Sequence, residues 1–335
     1  MYDNIMNLKN KLYQMFMIAP QTTELISGGN LELALKSGLG GVIFFTKNII
    51  SIEQVQTFTS KIKNCAIIPP FLGIDQEGGR VERTETIFNG KKFLSAQYQA
   101  QCGIECVIDQ TKQIAKLIKS MGFNMNFAPV LDVNTNPKNP IIGERAYGNN
   151  ANDVQKYALC AMETYIDNKI IPVGKHFPGH GDANIDSHLT LPTLNLNFEE
   201  LKNIHIKPFK SAIEKNIPAI MVAHLYCPCF SQDKIPSSLC PIILDYLRNK
   251  LMFKGIIISD DMQMGALNDI EKVDAVIQGI KAGINLFLYR DSTDEIIDII
   301  DSVYSRIQQD EKLKTLVDNS FQLTQEIKLR YNLIL

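Results

Sequence analysis

Apolar residues along the chain gather into short, unbroken runs rich in Ile, Val and Phe, at 13–18, 41–45, 71–74, 126–131, 170–174, 219–223, 255–258 and 284–288. The runs do not alternate apolar with polar. They therefore read as strands buried on both faces, the habit of a parallel sheet covered on each side. Between them apolar positions recur at helical spacing, over 52–62, 103–119, 151–168, 201–214, 241–251 and 294–308. Eight strands, each followed by a helix, match an α/β fold of the (β/α)8 TIM-barrel type in count and length. The charged stretch that begins at Asp310 predicts a closing helix on the barrel wall at about 310–330. With no internal repeat and no Pro/Ser-rich linker, residues 1–335 read as one catalytic domain.

In such a barrel the site lies at the C-terminal ends of the strands. Polar residues fall at those ends: Asp75 closes the third run, Asp132 the fourth, Lys175 the fifth, His224 the sixth and Asp260 the seventh. One such residue is chance; five on one rim are what a site requires.

Composition narrows the classes. The chain has 335 residues, 45% of them hydrophobic, and a formal net charge of -2, so clustered basic charge for nucleic acid or an anionic membrane is not expected. The N-terminal segment places Asp3 early and lacks a long apolar core, unlike a secretory leader. No apolar run nears the ~18 residues a membrane span needs. The seven cysteines are scattered, and Cys227-Pro-Cys229 is too close for a relaxed disulfide. Free thiols suit a reducing cytoplasm, and a cytoplasmic monomer or weak dimer is the expectation.

Three of the five histidines lie in one window, 175–188, K-H-F-P-G-H-G-D-A-N-I-D-S-H. Asp186 and His188 are two apart, and in an extended segment both side chains share a face. A carboxylate there fixes the tautomer of the imidazole and frees its other nitrogen for proton transfer; an ordinary polar hydrogen bond would use the same spacing. Two glycines flank His180, which predicts a mobile loop over 179–187. A zinc set drawn from His176, His180, Asp182, Asp186 and His188 meets an obstacle: His176 and His180 share a face only on a helix, which Pro178-Gly179 opposes. Asp260 and Asp261 follow a strand, so alternation lets at most one face the barrel mouth. That carboxylate could be a nucleophile, a metal ligand or a helix cap, and capping suits Asp261. Gly78-Gly79 permits a tight turn that returns Asp75 and Arg83 to the rim, where they suit sugar hydroxyls or simply pair with each other. Arg145 and Lys175-His176 add donors; neither GxGxxG nor GxxxxGK[ST] occurs to mark a nucleotide site.

The segments I-D-Q-E-G-G-R-V-E-R, F-A-P-V-L-D-V-N, I-G-E-R-A-Y-G, K-H-F-P-G-H-G-D with D-S-H, and I-S-D-D-M-Q-M-G-A occur in this order from Ile74 to Ala266. In them the chain resembles the single-domain β-N-acetylhexosaminidases of glycoside hydrolase family 3, bacterial enzymes of cell-wall recycling. The resemblance implies a (β/α)8 barrel, with Asp260 as nucleophile, His188 as general acid/base and Asp186 as its dyad partner. It implies that Asp75, Arg83, Arg145, Lys175 and His176 hold the N-acetylglucosamine ring, that no metal or organic cofactor takes part, and that the substrate is a muropeptide fragment with a terminal β-linked N-acetylglucosamine. The chain departs from the pattern at Ala183, where the family often has Thr, at Thr84, where an aromatic residue is common, and at Asn285, where Asp is common. The alternatives are a phosphorylase of the same family, a metal-dependent hydrolase on the same barrel, and a non-catalytic sugar-binding barrel.

Overall fold

The computed structural model describes residues 6–183 and 190–334. In it the eight runs become parallel strands β1 (Phe16–Ile18), β2 (Gly41–Phe44), β3 (Phe71–Ile74), β4 (Met125–Asn126), β5 (Ile171–Phe177), β6 (Ala219–Val222), β7 (Ile256–Asp261) and β8 (Leu286–Tyr289). Each pairs with the next and β8 returns to β1, closing a TIM barrel. The continuous apolar runs follow from burial on two sides. Ile43, Ile256, Ile258, Leu286 and Leu288 fill the barrel interior. Their neighbours Val42, Phe44, Ile257 and Phe287 face outward into the layer between sheet and helices. Gly73 leaves room for the Phe127 ring, which would lie 2.8 Å from a Cβ at that position.

Two strands are shorter than their apolar runs by three residues or more. Tyr13 and the residues before it belong to the helix Leu8–Tyr13, and β1 starts only at Phe16. β4 stops at Asn126; Pro129, without an N–H, interrupts the ladder, and the chain rejoins β5 through an isolated Val130–Lys175 bridge. Two of the wall helices start at side-chain caps: Ser51 accepts from the Gln54 N–H before Ile52–Cys65, and Asn150 from the Asp153 N–H before Ala151–Asp167. The runs 201–214 and 241–251 each contain a five-residue stretch of wider i→i+5 turns, Leu201–His205 and Tyr246–Lys250.

The last helix, Glu311–Arg330, starts at the Asp310 cap. It does more than lie on the wall. Ile327 enters the interior cluster, so the C-terminal turns of the helix plug the end of the barrel remote from the C-terminal ends of the strands. Beside Ile327, Lys328 is wholly buried, with its Nζ 2.8 Å from Gln14 Oε1 and 5.0 Å above the Phe71 ring. No carboxylate among the described residues pairs with it, and burial lowers its ammonium from the ordinary 10.5 to about 7. The unfolded chain then holds a proton that the folded one has lost between pH 7 and 10.5, so this residue makes stability rise with pH across that window and has no such effect below it. Lys328→Met should stabilise the fold by roughly 2–4 kcal/mol at pH 7. Each tenfold weakening of proton binding on burial costs the charged form about 1.4 kcal/mol, and the Phe71 and Gln14 contacts return part of the total. The gain should shrink towards pH 10. Urea unfolding at pH 7 and pH 10 tests this, and an equal gain at both would mean that the ammonium is not the cause.

Candidate active site

Two irregular strand pairings build the site. Gly174 and Phe177 of β5 face Ile220 and Val222 of β6, so three steps on one strand meet two on the other. The same mismatch recurs on β7, where Ile258 and Asp261 face Leu286 and Leu288. Each bulge breaks the one-in, one-out alternation. Consecutive residues then line one cavity of about 450 Å³: Lys175 with His176, and Asp260 with Asp261. The expectation that only one of the two aspartates could face the mouth fails for this reason. Asp261 does not cap the next helix either. Its Oδ1 accepts the Gln263 N–H at 3.1 Å, while the helix Lys272–Ala282 is capped by Glu271.

Asp75, Arg83, Arg145, Lys175, His176 and Asp260 all line this cavity. Lys175 Nζ lies 2.7 Å from Asp75 Oδ1 and 2.6 Å from Glu77 Oε1. Arg145 grips Glu77 with two 2.8 Å bonds, from Nε and Nη2, and Arg83 Nη2 reaches Asp75 Oδ2 at 3.3 Å. Burial pushes both carboxyls up, but Lys175 and Arg83 hold Asp75 below its ordinary value, and Arg145 and Lys175 hold Glu77 well below the carboxylate range. Glu77 had no assigned role in the sequence. The signal was its spacing, two residues after Asp75 on an extended chain, which puts both carboxylates on one side.

Asp132 and His224 reach the rim from behind and stay out of the cavity. Asp132 accepts His176 Nδ1–H at 2.6 Å and the His180 N–H at 2.6 Å. Burial opposes its charge, but His176 and His180 outweigh it and keep the carboxyl low. His176 Nε2 lies 3.4 Å from Arg145 Nη2. The buried His224 accepts from Ser238 Oγ at Nδ1, 2.6 Å, and donates from Nε2 to the Asp261 carbonyl at 3.1 Å. Burial and His176 push His180, which lines the cavity, down to about 4.

Asp260 Oδ1 accepts the Asp261 N–H at 2.8 Å, which orients the carboxylate and leaves Oδ2 without a backbone donor among the described residues. Burial raises this group, but His176 and His224 more than offset it, and the result lies below the ordinary value. Asp261 differs: burial and the Asp260 charge raise it to about 6, against its bond to the Gln263 N–H and the Arg290 guanidinium 3.3 Å away. Two adjacent carboxyls thus titrate in different ranges, Asp260 below the ordinary carboxylate value and Asp261 near 6.

Asp186 and His188 lie outside the described residues. The loop that leads to them is pinned rather than loose over 179–183. Asn139 Nδ2 donates to the His180 carbonyl at 2.7 Å, the Asn136 N–H to the Gly181 carbonyl at 3.3 Å, and Thr135 Oγ1 to Asp182 at 2.8 Å. The glycines serve close packing: a Cβ on Gly181 would lie 1.8 Å from the Val133 carbonyl. Thr84 and Ala183 are buried away from the cavity, and Thr84 bonds to Glu82. Asn285 Oδ1 accepts from Arg248 Nη2 and from the Ile257 N–H, both at 2.9 Å, far below the rim. Among the described residues no three His, Cys, Asp or Glu side chains converge as metal ligands.

Residues 7–323 match the family model described as glycosyl hydrolase family 3 N terminal domain. The chain belongs to glycosyl hydrolase family 3. It is 32% identical over 296 residues to Beta-hexosaminidase A of Pseudoalteromonas piscicida, covering 82% of this chain and 48% of that one, so it spans about half of that relative's length. It is 30% identical over 291 residues to a Beta-hexosaminidase of Idiomarina loihiensis, covering 85% and 86%. A solved glycoside hydrolase family 3 β-N-acetylglucosaminidase from a Paenibacillus species superposes with a TM-score of 0.89 at 28% identity, over 98% of this chain and 63% of that one.

In this family 3 chain Glu77 is the group that should most affect the cavity without entering the chemistry. Glu77→Gln removes the charge that Arg145 and Lys175 share and leaves both cations short of a buried partner. Breaking a buried pair in this way costs about 3–5 kcal/mol at the extreme, and the retained amide oxygen keeps the loss near the lower figure. Urea unfolding should show that loss, and kcat/KM should fall at least about tenfold as the ring contacts lose their orientation. Unchanged stability with unchanged turnover would leave Glu77 no part in shaping the cavity.

Proposed function

We propose that the chain is a retaining β-N-acetylglucosaminidase that removes a terminal β-linked N-acetylglucosamine, with a muropeptide fragment of peptidoglycan recycling as substrate. What carries the reading is Asp260: an ionised carboxylate, oriented through one oxygen, in the same cavity as the donors and acceptors of Asp75, Arg83, Arg145, Lys175 and His176. Paired cations and carboxylates offer a sugar hydroxyl a donor and an acceptor together. The names of the family relatives point to the amino sugar.

In this mechanism Asp260 Oδ2 forms a bond to the anomeric carbon as the bond to the leaving oxygen breaks, and His188 gives that oxygen its proton. His188, oriented by Asp186, then takes a proton from water, whose oxygen displaces Asp260 and releases the sugar. A histidine in this role replaces the second carboxylate of most glycosidases.

Chromogenic β-N-acetylglucosaminide and β-glucoside, each with and without phosphate, test the reading. The acetamido substrate should be preferred by several kcal/mol in kcat/KM, because a site built for an amide leaves polar groups unpaired around a plain glucoside. Equal kcat/KM on the two, or release of sugar 1-phosphate in place of free sugar, would overturn it.

Two variants test the roles. Asp260→Ala should remove turnover with the fold intact, and a fluorosugar that traps the covalent intermediate should label Asp260; a label on Asp261 would reverse the assignment. His188→Ala should lose ~10²–10⁴ in rate on a poor leaving group and much less on an activated aryl one. Equal losses on both would show that His188 is not the acid.

A further inference from the structure

The cations of the cavity fall into two sets. Arg145, Lys175 and Arg83 are each matched by Glu77 or Asp75. The three share two carboxylates, and a cation held beside a carboxylate suits a hydroxyl, which can accept from one and donate to the other. Lys47 is different: it is exposed, lines the same cavity and has no carboxylate partner among the described residues. Arg290 also lines the cavity, with its one ion pair among the described residues a 3.3 Å contact from Nε to Asp261 and 55% of its side chain exposed.

These two cations come from one arc of the rim. Lys47 follows β2 and Arg290 follows β8, the two strands that flank β1. Both are held in place by their backbones. Asn48 Nδ2 donates to the Pro20 and Thr22 carbonyls at 2.9 Å each and its Oδ1 accepts the Phe45 N–H at 3.0 Å, which fixes the turn Thr46–Asn48. The Arg290 N–H donates to Gln263 Oε1 at 3.1 Å. Lys47, a cation without a carboxylate partner among the described residues at the edge of a concave cavity, adds positive potential where a substrate enters. Arg83, paired with Asp75, lies next to this arc with its guanidinium 5.3 Å above the Phe45 ring.

We propose that Lys47 and Arg290 form an anion subsite that receives a carboxylate carried by the leaving group of the substrate. The inference rests on the glycosidase reading above and adds the charge of the group that departs. The Asp75–Glu77 side of the cavity takes the neutral ring, and the β8–β2 side takes the charge beyond the scissile bond. Lys47 is thereby a specificity residue and has no part in bond breaking.

The test compares two aryl β-N-acetylglucosaminides whose phenols have similar acidity, 3-hydroxybenzoate and 3-hydroxybenzamide, so that only the charge differs. Turnover of the benzamide compound reports the hydrolase reading by itself; the ratio of the two kcat/KM values reports the subsite. At low salt the wild-type protein should favour the benzoate about tenfold, the size of one well-placed charge contact. The preference should weaken as salt is raised, because both cations face solvent. Lys47→Met should bring the ratio near one with less than a twofold change on the benzamide, and Arg290→Gln should reduce it part of the way. A wild-type ratio near one, or a Lys47→Met loss equal on both compounds, would overturn the proposal. So would inorganic phosphate competing with the benzoate while sugar 1-phosphate is released, since the cations would then serve a free oxyanion.

Discussion

Lys175 sits at the end of β5 between two carboxylates, and the rest of the rim is arranged around that contact. An ammonium buried to this degree is tolerated only when paired. Asp75 and Glu77 supply the pairing at 2.7 and 2.6 Å and come from the loop after β3. Glu77 in turn needs Arg145 to balance it, and Arg145 reaches across from the loop after β4. One chain of charge thus ties three strand ends together. The side chains proposed to hold the sugar are largely the ones that pair with each other. Their orientation is set before a ligand arrives, which is where such a site gains its selectivity.

The second constraint is strand geometry. A regular strand delivers every other side chain to one face. The cavity needs two consecutive residues from β5 and two from β7, and bulges at both places supply them. On β7 the result is a pair of adjacent carboxyls in unlike surroundings. Asp260 has imidazoles nearby and a backbone donor, and stays ionised. Asp261 has burial and the charge of Asp260 against it. Placing these two residues side by side therefore gives one carboxyl that stays ionised, the nucleophile in the mechanism proposed above, and one that titrates near 6.

Much of this was legible in the residues. Continuous apolar runs predicted a parallel barrel because both faces of each strand are buried, and Ile43 beside Val42 shows the two faces in use. The polar residues that close the runs marked the rim because strand polarity in this architecture points one way. The string around Lys175 and the residue pair at Asp260 named the cavity. Asp132 and His224, which also close strands, turned out to support the lining from behind, because an unmarked strand end does not say which way its side chain turns.

The sequence by itself determined the periodicity, the order of strands and helices, and the chemical types available at each strand end, since these depend on local spacing alone. Only the tertiary structure decided which charges meet. The Lys175–Glu77 contact joins residues far apart in the chain, and the burial that makes it strong exists only once the barrel has closed. It also decided that both Asp260 and Asp261 face the cavity, because a bulge is a property of two paired strands and is written in neither of them alone. Nor does the basic residue at 328 announce that it lies inside the base of the barrel. The helical spacing of Glu311–Arg330 fixes which residues share a face, and the packing of that face under the sheet decides that Lys328 loses its water.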